Sequence, residues 1–142
     1  MTRVPNRRTL LAAFAGMIAA LSAKTARAAS HGKQAFIDKA FEMKRLAEST
    51  GDQSYGAVVA RGDQIVGLGP SRVVLKKDIT AHAEREALRD AQARLGKSDL
   101  SGCVMYSTSR PCGDCERAAA QAKISRMYYG PQGTDAGAPR DT

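Results

Sequence analysis

Apolar residues recur along this chain with two different periods, and the first half of the pattern predicts a helix followed by a hairpin. The segment 34–48 has apolar residues at helical spacing and ends in the polar sequence Ser49-Thr50-Gly51. Its apolar residues are Phe36, Ile37, Ala40, Phe41, Leu46 and Ala47. Two short apolar runs, 55–60 and 64–69, follow as strands, and Arg61-Gly62-Asp63 between them is typical of a hairpin turn.

The second half predicts helices alternating with strands. A helix is expected over 81–95, with Thr80 as its N-cap and Gly96 as its C-terminal stop. A strand over 102–107 comes next, then a helix over 111–122 whose first turn holds Pro111, then a strand over 124–129. This order predicts a single α/β domain with a largely parallel sheet and one antiparallel hairpin at its start. The residues 132–142 are rich in Gly, Pro and Asp, and we expect a disordered tail there.

Much of the basic charge belongs to the N-terminal segment. The chain has 142 residues and a formal net charge of +8, which by itself would favour a nucleic-acid partner. Residues 1–28 contain five basic residues and no acidic one, and removing those five from the 22 basic residues leaves 17 against 14 acidic ones. The remaining net charge of +3 is modest. Composition therefore gives little support to nucleic-acid binding.

The same segment has the three parts of an export signal. The pair Arg7-Arg8 precedes an uncharged run over 9–23, and Ala26-Arg27-Ala28 is a small-x-small cleavage sequence. We expect 1–28 to be a secretory signal peptide of the twin-arginine (Tat) type, with the general export route as the alternative. A membrane anchor is less favoured, since a span needs about 20 apolar residues and this run is shorter. The protein is then expected in the periplasm, meeting a membrane only during export.

Two short motifs carry the chemistry. His82-Ala83-Glu84 lies at the start of the second predicted helix, and Pro111-Cys112-Gly113-Asp114-Cys115 at the start of the third. First-turn side chains tilt toward the helix N-terminus, and helix N-termini favour thiolates. The two helix starts are expected at one edge of the sheet. His82, Cys112 and Cys115 then supply three ligands for one zinc ion, which leaves the fourth tetrahedral position for water.

An open zinc site lowers the pKa of its water, and Glu84 is placed to carry the proton. Two alternatives remain: a zinc clasp without turnover, and a redox dithiol formed by the C-x-x-C pair. The first gives Glu84 no purpose, and the second leaves His82 and Glu84 unexplained. Cys103 lies in an apolar run and is expected to be a small buried residue. Glu86 and the neighbouring arginines are expected to form a solvated, paired face.

The pattern H-x-E…P-C-x-x-C resembles the zinc-binding deaminases of the cytidine deaminase-like superfamily, within the branch that acts on cytosine, guanine and tRNA adenosine. The similarity runs over 36–130. It includes Tyr55-Gly56-Ala57-Val58-Val59, the stretch 80–84, Tyr106-Ser107-Thr108, and the strand 124–130. The resemblance implies a three-layer α-β-α sheet and a zinc-dependent deaminase domain over 29–131 with one zinc per chain. It also implies hydrolytic loss of a ring amino group as ammonia, with Glu84 as the proton shuttle.

The chain departs from that family's pattern at three places. Ser71 stands where the family usually has a base-binding asparagine, and Arg110 where it usually has a glutamate. These two residues are the candidate substrate contacts. The family commonly continues with further helices, so the domain is expected to be C-terminally shortened. The expected partners are water, a small nucleobase or nucleoside, and a second copy of the chain in a homodimer. Nucleic acid is not favoured, since the chain has only three Phe and four Tyr for stacking.

Overall fold

A computed structural model of the protein describes residues 33–142, so the predicted signal peptide lies outside the described residues. The first element is the helix α1, which occupies 33–49. The other elements, in chain order, are β1 (Gly56–Arg61), β2 (Gln64–Pro70), α2 (Val73–Lys76), α3 (Ala83–Leu95), β3 (Cys103–Ser107), α4 (Gly113–Gln121), β4 (Arg126–Tyr129) and β5 (Thr134–Gly137). None of the helices within the described range is long and apolar enough to cross a membrane.

The sheet has five strands in the order β2-β1-β3-β4-β5. Only β3 and β4 pair in parallel, while the other three neighbouring pairs are antiparallel. The expectation of a largely parallel sheet is therefore wrong. The two helical connections do join strands of the same direction, but β1 lies between β2 and β3. Strand β1 therefore separates β2 from β3, the two strands that are connected through α3.

Helices cover both faces of this sheet, which confirms the predicted three-layer α-β-α arrangement. Residues 57–60 of β1 are fully buried and alternate between the two faces. Val58 and Ala60 pack against Phe36 and Met43 of α1. On the other face, the core includes Ala57, Val59 and Met105 from the sheet and residues of α3 and α4. The central strand is therefore apolar throughout, as expected for a strand that is buried on both sides.

Helix α3 lies unusually close to β2 because the strand has two glycines at the contact. A Cβ atom at Gly69 would lie 2.0 Å from the carbonyl oxygen of Ala83, and one at Gly67 would lie 2.4 Å from that of Ala87. Alanines on the facing side of the helix add little bulk of their own. This close contact fixes the start of α3, which carries the His82-Ala83-Glu84 motif, beside the end of β2.

Three details differ from the sequence-based expectations. Thr80 does not cap α3; its N–H and hydroxyl both donate to the carboxylate of Asp78, at 2.8 and 2.7 Å, and His82 is the N-cap residue. The short helix α2 was not expected. The tail is not disordered throughout, because Thr134–Gly137 pairs with β4 as the edge strand β5. Arg126 supports this pairing by donating to both carboxylate oxygens of Asp135 at 2.9 Å.

Candidate metal centre and active site

The three predicted ligands come together at the N-termini of two helices. His82 is the N-cap residue of α3, and Cys112 is the N-cap residue of α4, both with extended backbone. Cys115 lies in the first turn of α4. The strands that precede these helices, β2 and β3, run in the same direction, so both helices begin at the same edge of the sheet. The topology therefore places the two motifs side by side, as the sequence predicts.

The ligand atoms have the spacing of a tetrahedral site. His82 Nδ1 lies 3.4 Å from Cys115 Sγ and 3.7 Å from Cys112 Sγ, and all three atoms lie within 4.8 Å of one another. Around a tetrahedral zinc ion, typical Zn–N and Zn–S bond lengths separate nitrogen from sulfur by about 3.6 Å. The backbone N–H of Cys115 also donates to Cys112 Sγ at 3.4 Å, which orients that sulfur. One imidazole and two sulfurs at these distances fit zinc.

Glu84 lies on the inner side of these ligands. Its side chain is only 7% exposed, and its Oε2 atom lies 3.6 Å from Cys115 Sγ. Burial raises the pKa of the Glu84 carboxyl above its usual range, although hydrogen bonds from the backbone and from Cys115 oppose this effect. Burial and the nearby Glu84 carboxylate likewise raise the pKa of the Cys115 thiol. A cation held by the three ligands would favour the thiolate form instead.

Two of the three ligands, His82 and Cys112, line a cavity of about 780 Å³. It is lined by Lys44, Gln53, Ser54, Tyr55, His82, Ala83, Glu84, Ser109, Arg110 and Cys112. The volume is within the range of small-molecule binding sites. A substrate in this cavity would have direct access to Glu84, His82 and Cys112.

The loop that carries Cys112 is held by two residues that sequence reasoning did not single out for this role. The buried hydroxyl of Ser107 donates to the carbonyl oxygen of Ser109 at 2.7 Å. Thr108 exchanges two hydrogen bonds with the backbone of Gly56: its Oγ1 accepts at 3.1 Å and its N–H donates at 2.9 Å. These bonds tie the exit of β3 to the start of β1. The loop therefore enters α4 in a defined conformation.

The two candidate substrate contacts have different positions. Arg110 is exposed and lines the cavity, with its guanidinium carbon 5.9 Å from the centroid of the Tyr129 ring. Ser71 is fully buried, and its hydroxyl donates to Asp52 Oδ1 at 2.9 Å. Ser71 is therefore absent from the cavity lining, contrary to the expectation that it contacts substrate. Its partner Asp52 lies in the loop between α1 and β1.

Asp52 organises the connection between β2 and α3. Its Oδ2 atom accepts from the backbone N–H of Leu75 at 2.8 Å, while Oδ1 accepts from Ser71 and from the N–H of Gln53. Burial alone would raise the pKa of Asp52, but these hydrogen bonds lower it below its usual value of 3.8. The segment that leads to His82 is thus tied to the end of α1.

Two further sequence-based expectations have clear outcomes. Cys103 is 1% exposed within the core, as predicted. Glu86 is not solvated: it is 8% exposed, and its carboxylate pairs with Lys76 and Arg89 at 2.6 Å each. The pairing is as expected, but one partner, Lys76, comes from the last residue of α2, and the acid itself is buried.

A five-stranded sheet between helix layers, with His, Cys and Cys converging on a buried Glu, defines a metal-dependent protein of the cytidine deaminase-like fold. The family described as the cytidine and deoxycytidylate deaminase zinc-binding region matches residues 30–131. The chain belongs to this family, which confirms the resemblance drawn from the two motifs.

Individual relatives point to the same superfamily. A tRNA(Ile)-lysidine synthase of Deinococcus deserti is 38% identical over 103 residues, covering 72% of this chain and 19% of that protein. A tRNA-specific adenosine deaminase of Aquifex aeolicus is 32% identical over 98 residues, covering 69% of this chain and 65% of that protein. The crystal structure of guanine deaminase from Bacillus subtilis superposes with a TM-score of 0.65 and 30% identity, covering 68% of this chain and 62% of that one. The chain thus spans less than two thirds of the length of each of these relatives.

Proposed function

We propose that this chain is a zinc-dependent hydrolytic deaminase. It would convert a ring amino group of a nucleobase or nucleoside, of the cytosine, guanine or adenine type, to a carbonyl, consuming water and releasing ammonia. The observation that supports this most strongly is geometric. The imidazole nitrogen of His82 lies 3.4 and 3.7 Å from two cysteine sulfurs, and the buried Glu84 lies beside them at the base of a cavity.

Three of the site residues would hold a metal ion, and the fourth, Glu84, would transfer protons. His82, Cys112 and Cys115 would hold the zinc, which when bound polarises a water molecule and lowers its pKa. Glu84 accepts a proton from the attacking water and delivers it to the ring nitrogen, then takes the second proton from the new hydroxyl on the ring carbon and delivers it to the departing amine. Burial raises the pKa of the Glu84 carboxyl, which favours its proton-bound form. The net change is one water consumed and one ammonia released.

The proposal extends to partners and location. Relatives named as a tRNA-specific adenosine deaminase and a guanine deaminase support an amino-substituted ring as substrate. We favour a free base or nucleoside over tRNA, because the N-terminal 28 residues have the pattern of a twin-arginine export signal. The protein would then act in the periplasm, and a homodimer is the oligomeric state we propose. Cell fractionation with and without residues 1–28, followed by size-exclusion chromatography with light scattering, tests both points.

The deaminase proposal is tested by ammonia release from zinc-loaded protein. The substrates are cytosine, guanine, adenine and their nucleosides, and the proteins are wild type, Glu84→Gln and Glu86→Gln. Glu86 is the matched control because it lies on the same helix and is equally buried, but does not line the cavity. We expect the first substitution to reduce ammonia release at least about 100-fold, a typical contribution of a proton-transferring group. The control should retain most of the rate at temperatures where it is folded.

The other outcomes each favour a different function. Equal ammonia release from wild type and Glu84→Gln, or none from either, overturns the deaminase proposal. In the second case, protein that still holds zinc is a zinc-stabilised binding protein. Protein that holds no zinc and interconverts a Cys112–Cys115 disulfide with free thiols is a redox protein.

A further inference from the structure

We propose that Lys44 and Arg110 form a subsite for an anionic substituent, a phosphate or a carboxylate, on the ring that is deaminated. This inference rests on the proposed function, because it narrows the substrate class of the same cavity. The juxtaposition that carries it is a pair of basic side chains, Lys44 and Arg110, that line the cavity without a carboxylate of residues 33–142 within 4.0 Å of either charged group.

The charges of the cavity lining are unequal. Lys44 and Arg110 are its two basic residues, and among the described lining residues Glu84 is the only carboxylate. Glu84 is buried against Cys115, where the proposed reaction uses it. It therefore leaves the two basic groups free to act on a ligand. The cavity lining therefore holds two basic side chains besides the carboxylate that the proposed reaction uses, and this charge balance favours an anionic ligand.

Lys44 owes its position to the packing of α1. A Cβ atom at Gly56 would lie 2.2 Å from the carbonyl oxygen of Ala40 and 2.3 Å from the backbone N–H of Lys44, so only glycine lets the helix approach β1 this closely. Lys44 is half-buried at this contact, and its ammonium lies 5.9 Å from the centroid of the Phe41 ring. Within residues 33–142, no carboxylate lies within 4.0 Å of it.

Arg110 is held in a similar way from the opposite motif. Its loop is fixed by the hydrogen bonds of Ser107 and Thr108, and its guanidinium lies over the Tyr129 ring. Glu116, an acid in the first turn of α4, accepts from Arg140 at 3.1 and 3.4 Å instead. The guanidinium therefore keeps its hydrogen-bond donors available. A planar guanidinium and a flexible ammonium are the two groups that proteins use to bind phosphate and carboxylate.

The cavity has room for such a substituent. Its volume of about 780 Å³ lies in the upper part of the usual range for small-molecule sites, which exceeds what a bare ring needs. A nucleoside monophosphate and a carboxylated base both carry a negative charge and are both small enough for a cavity of this volume. Phosphate and carboxylate share this negative charge, and each is tested with its own pair of neutral and anionic ligands.

Binding measurements separate this inference from turnover. Zinc-loaded Glu84→Gln protein is titrated by calorimetry with matched neutral and anionic ligands: cytidine and cytidine 5′-monophosphate, the adenosine and guanosine equivalents, and cytosine with 5-carboxycytosine. At least one anionic ligand should bind about tenfold or more tightly than its neutral partner, as expected for a charge-assisted contact. Adding Lys44→Met or Arg110→Met should each remove most of that advantage. Arg45→Met is the matched control, since Arg45 is the exposed neighbour outside the cavity lining.

Several results would overturn the inference. Equal affinity within every pair, no measurable binding of any anionic ligand, or an equal effect of the control substitution each does so. Tighter binding of a short single-stranded RNA than of all monophosphates, dependent on the same two residues, would assign the subsite to nucleic acid instead. Ammonia release by wild type distinguishes a failure of the anion subsite from a failure of the deaminase proposal. Turnover without preference for the anionic ligands overturns only the subsite, and preferential binding without turnover overturns only the deaminase proposal.

Discussion

Gly69→Ala is the substitution that most strongly links the packing of this fold to its site. The new Cβ atom would lie 2.0 Å from the carbonyl oxygen of Ala83, 2.5 Å from the N–H nitrogen of Ala87 and 2.8 Å from the Ala87 Cβ. The first two are backbone atoms, which cannot move aside as the end of a side chain can. Ordinary contact begins at 3.4 Å, so the start of α3 would have to retreat by about 1.4 Å.

This displacement has two expected consequences. Overpacking of this kind lowers the free energy of unfolding by about 1–3 kcal/mol. Since Ala83 lies between His82 and Glu84, the retreat also moves a metal ligand and the proton carrier relative to Cys112 and Cys115. A misplacement of about 1 Å reduces catalytic rates roughly 100-fold. We therefore expect weaker zinc retention and a loss of ammonia release larger than the loss of stability would explain.

Gly67→Ala provides the matched comparison. Its Cβ atom would lie 2.4 Å from the carbonyl oxygen of Ala87 and 2.8 Å from the Ala91 Cβ, about one turn further from the helix start. Thermal unfolding, zinc content and ammonia release are measured for both variants at a temperature where both are folded. Similar destabilisation with a much smaller loss of activity is expected for Gly67→Ala. If Gly69→Ala keeps the stability, the zinc and the rate of wild type, the close approach of α3 to β2 does not position the site.

Other substitutions test separate parts of the account. Gly113→Ala should raise the free energy of unfolding by about 0.5–1 kcal/mol and keep the zinc, because its Cβ meets nothing within 4 Å; zinc loss in metal analysis would contradict this. Burial raises the pKa of the Asp52 carboxyl, but the hydrogen bonds that it accepts outweigh burial and lower the pKa below 3.8. The ionised carboxylate therefore stabilises the folded protein above pH 3.8. This stabilisation is lost as the pH falls through the lower pKa of the folded state. Asp52→Ala should therefore lower the free energy of urea unfolding by about 1 kcal/mol at pH 7 and by less as the pH falls below 3.8; a cost that does not change with pH would refute the assignment. Glu86→Gln should cost about 1 kcal/mol, since its partners Lys76 and Arg89 are half exposed, and an unchanged melting temperature would show that the pairs contribute nothing.

The ligand set could be predicted from the sequence because its determinants are local. His82 and Glu84 are two residues apart, Cys112 and Cys115 three apart, and each pair begins a helix that apolar periodicity and a preceding strand already indicate. Side chains in a first helical turn share a direction whatever the rest of the fold does. Local spacing therefore determined which atoms could converge, and parallel crossovers placed the two helix starts at one edge.

The features that sequence reasoning missed are the non-local ones. The position of β1 between β2 and β3 depends on which strands pair, and periodicity carries no information on pairing partners. Lys44 reaches the cavity because Gly56 admits α1, a contact between distant segments. The Ser71 hydroxyl donates a hydrogen bond to Asp52, 19 residues earlier in the chain. Because a hydroxyl can donate to many kinds of acceptor, the sequence does not identify this partner. The edge strand β5 is only four residues long and is flanked by turn residues, so its composition resembles a tail.

We infer that His82, Cys112 and Cys115 hold one zinc ion beside Glu84. Metal analysis of purified wild type and of the double variant Cys112→Ser/Cys115→Ser tests this most directly, with folding of both checked by circular dichroism. We predict one zinc per chain in wild type and almost none in the variant. Folded wild type that binds no zinc when the ion is supplied, or a variant that keeps its full zinc content, would contradict the claim.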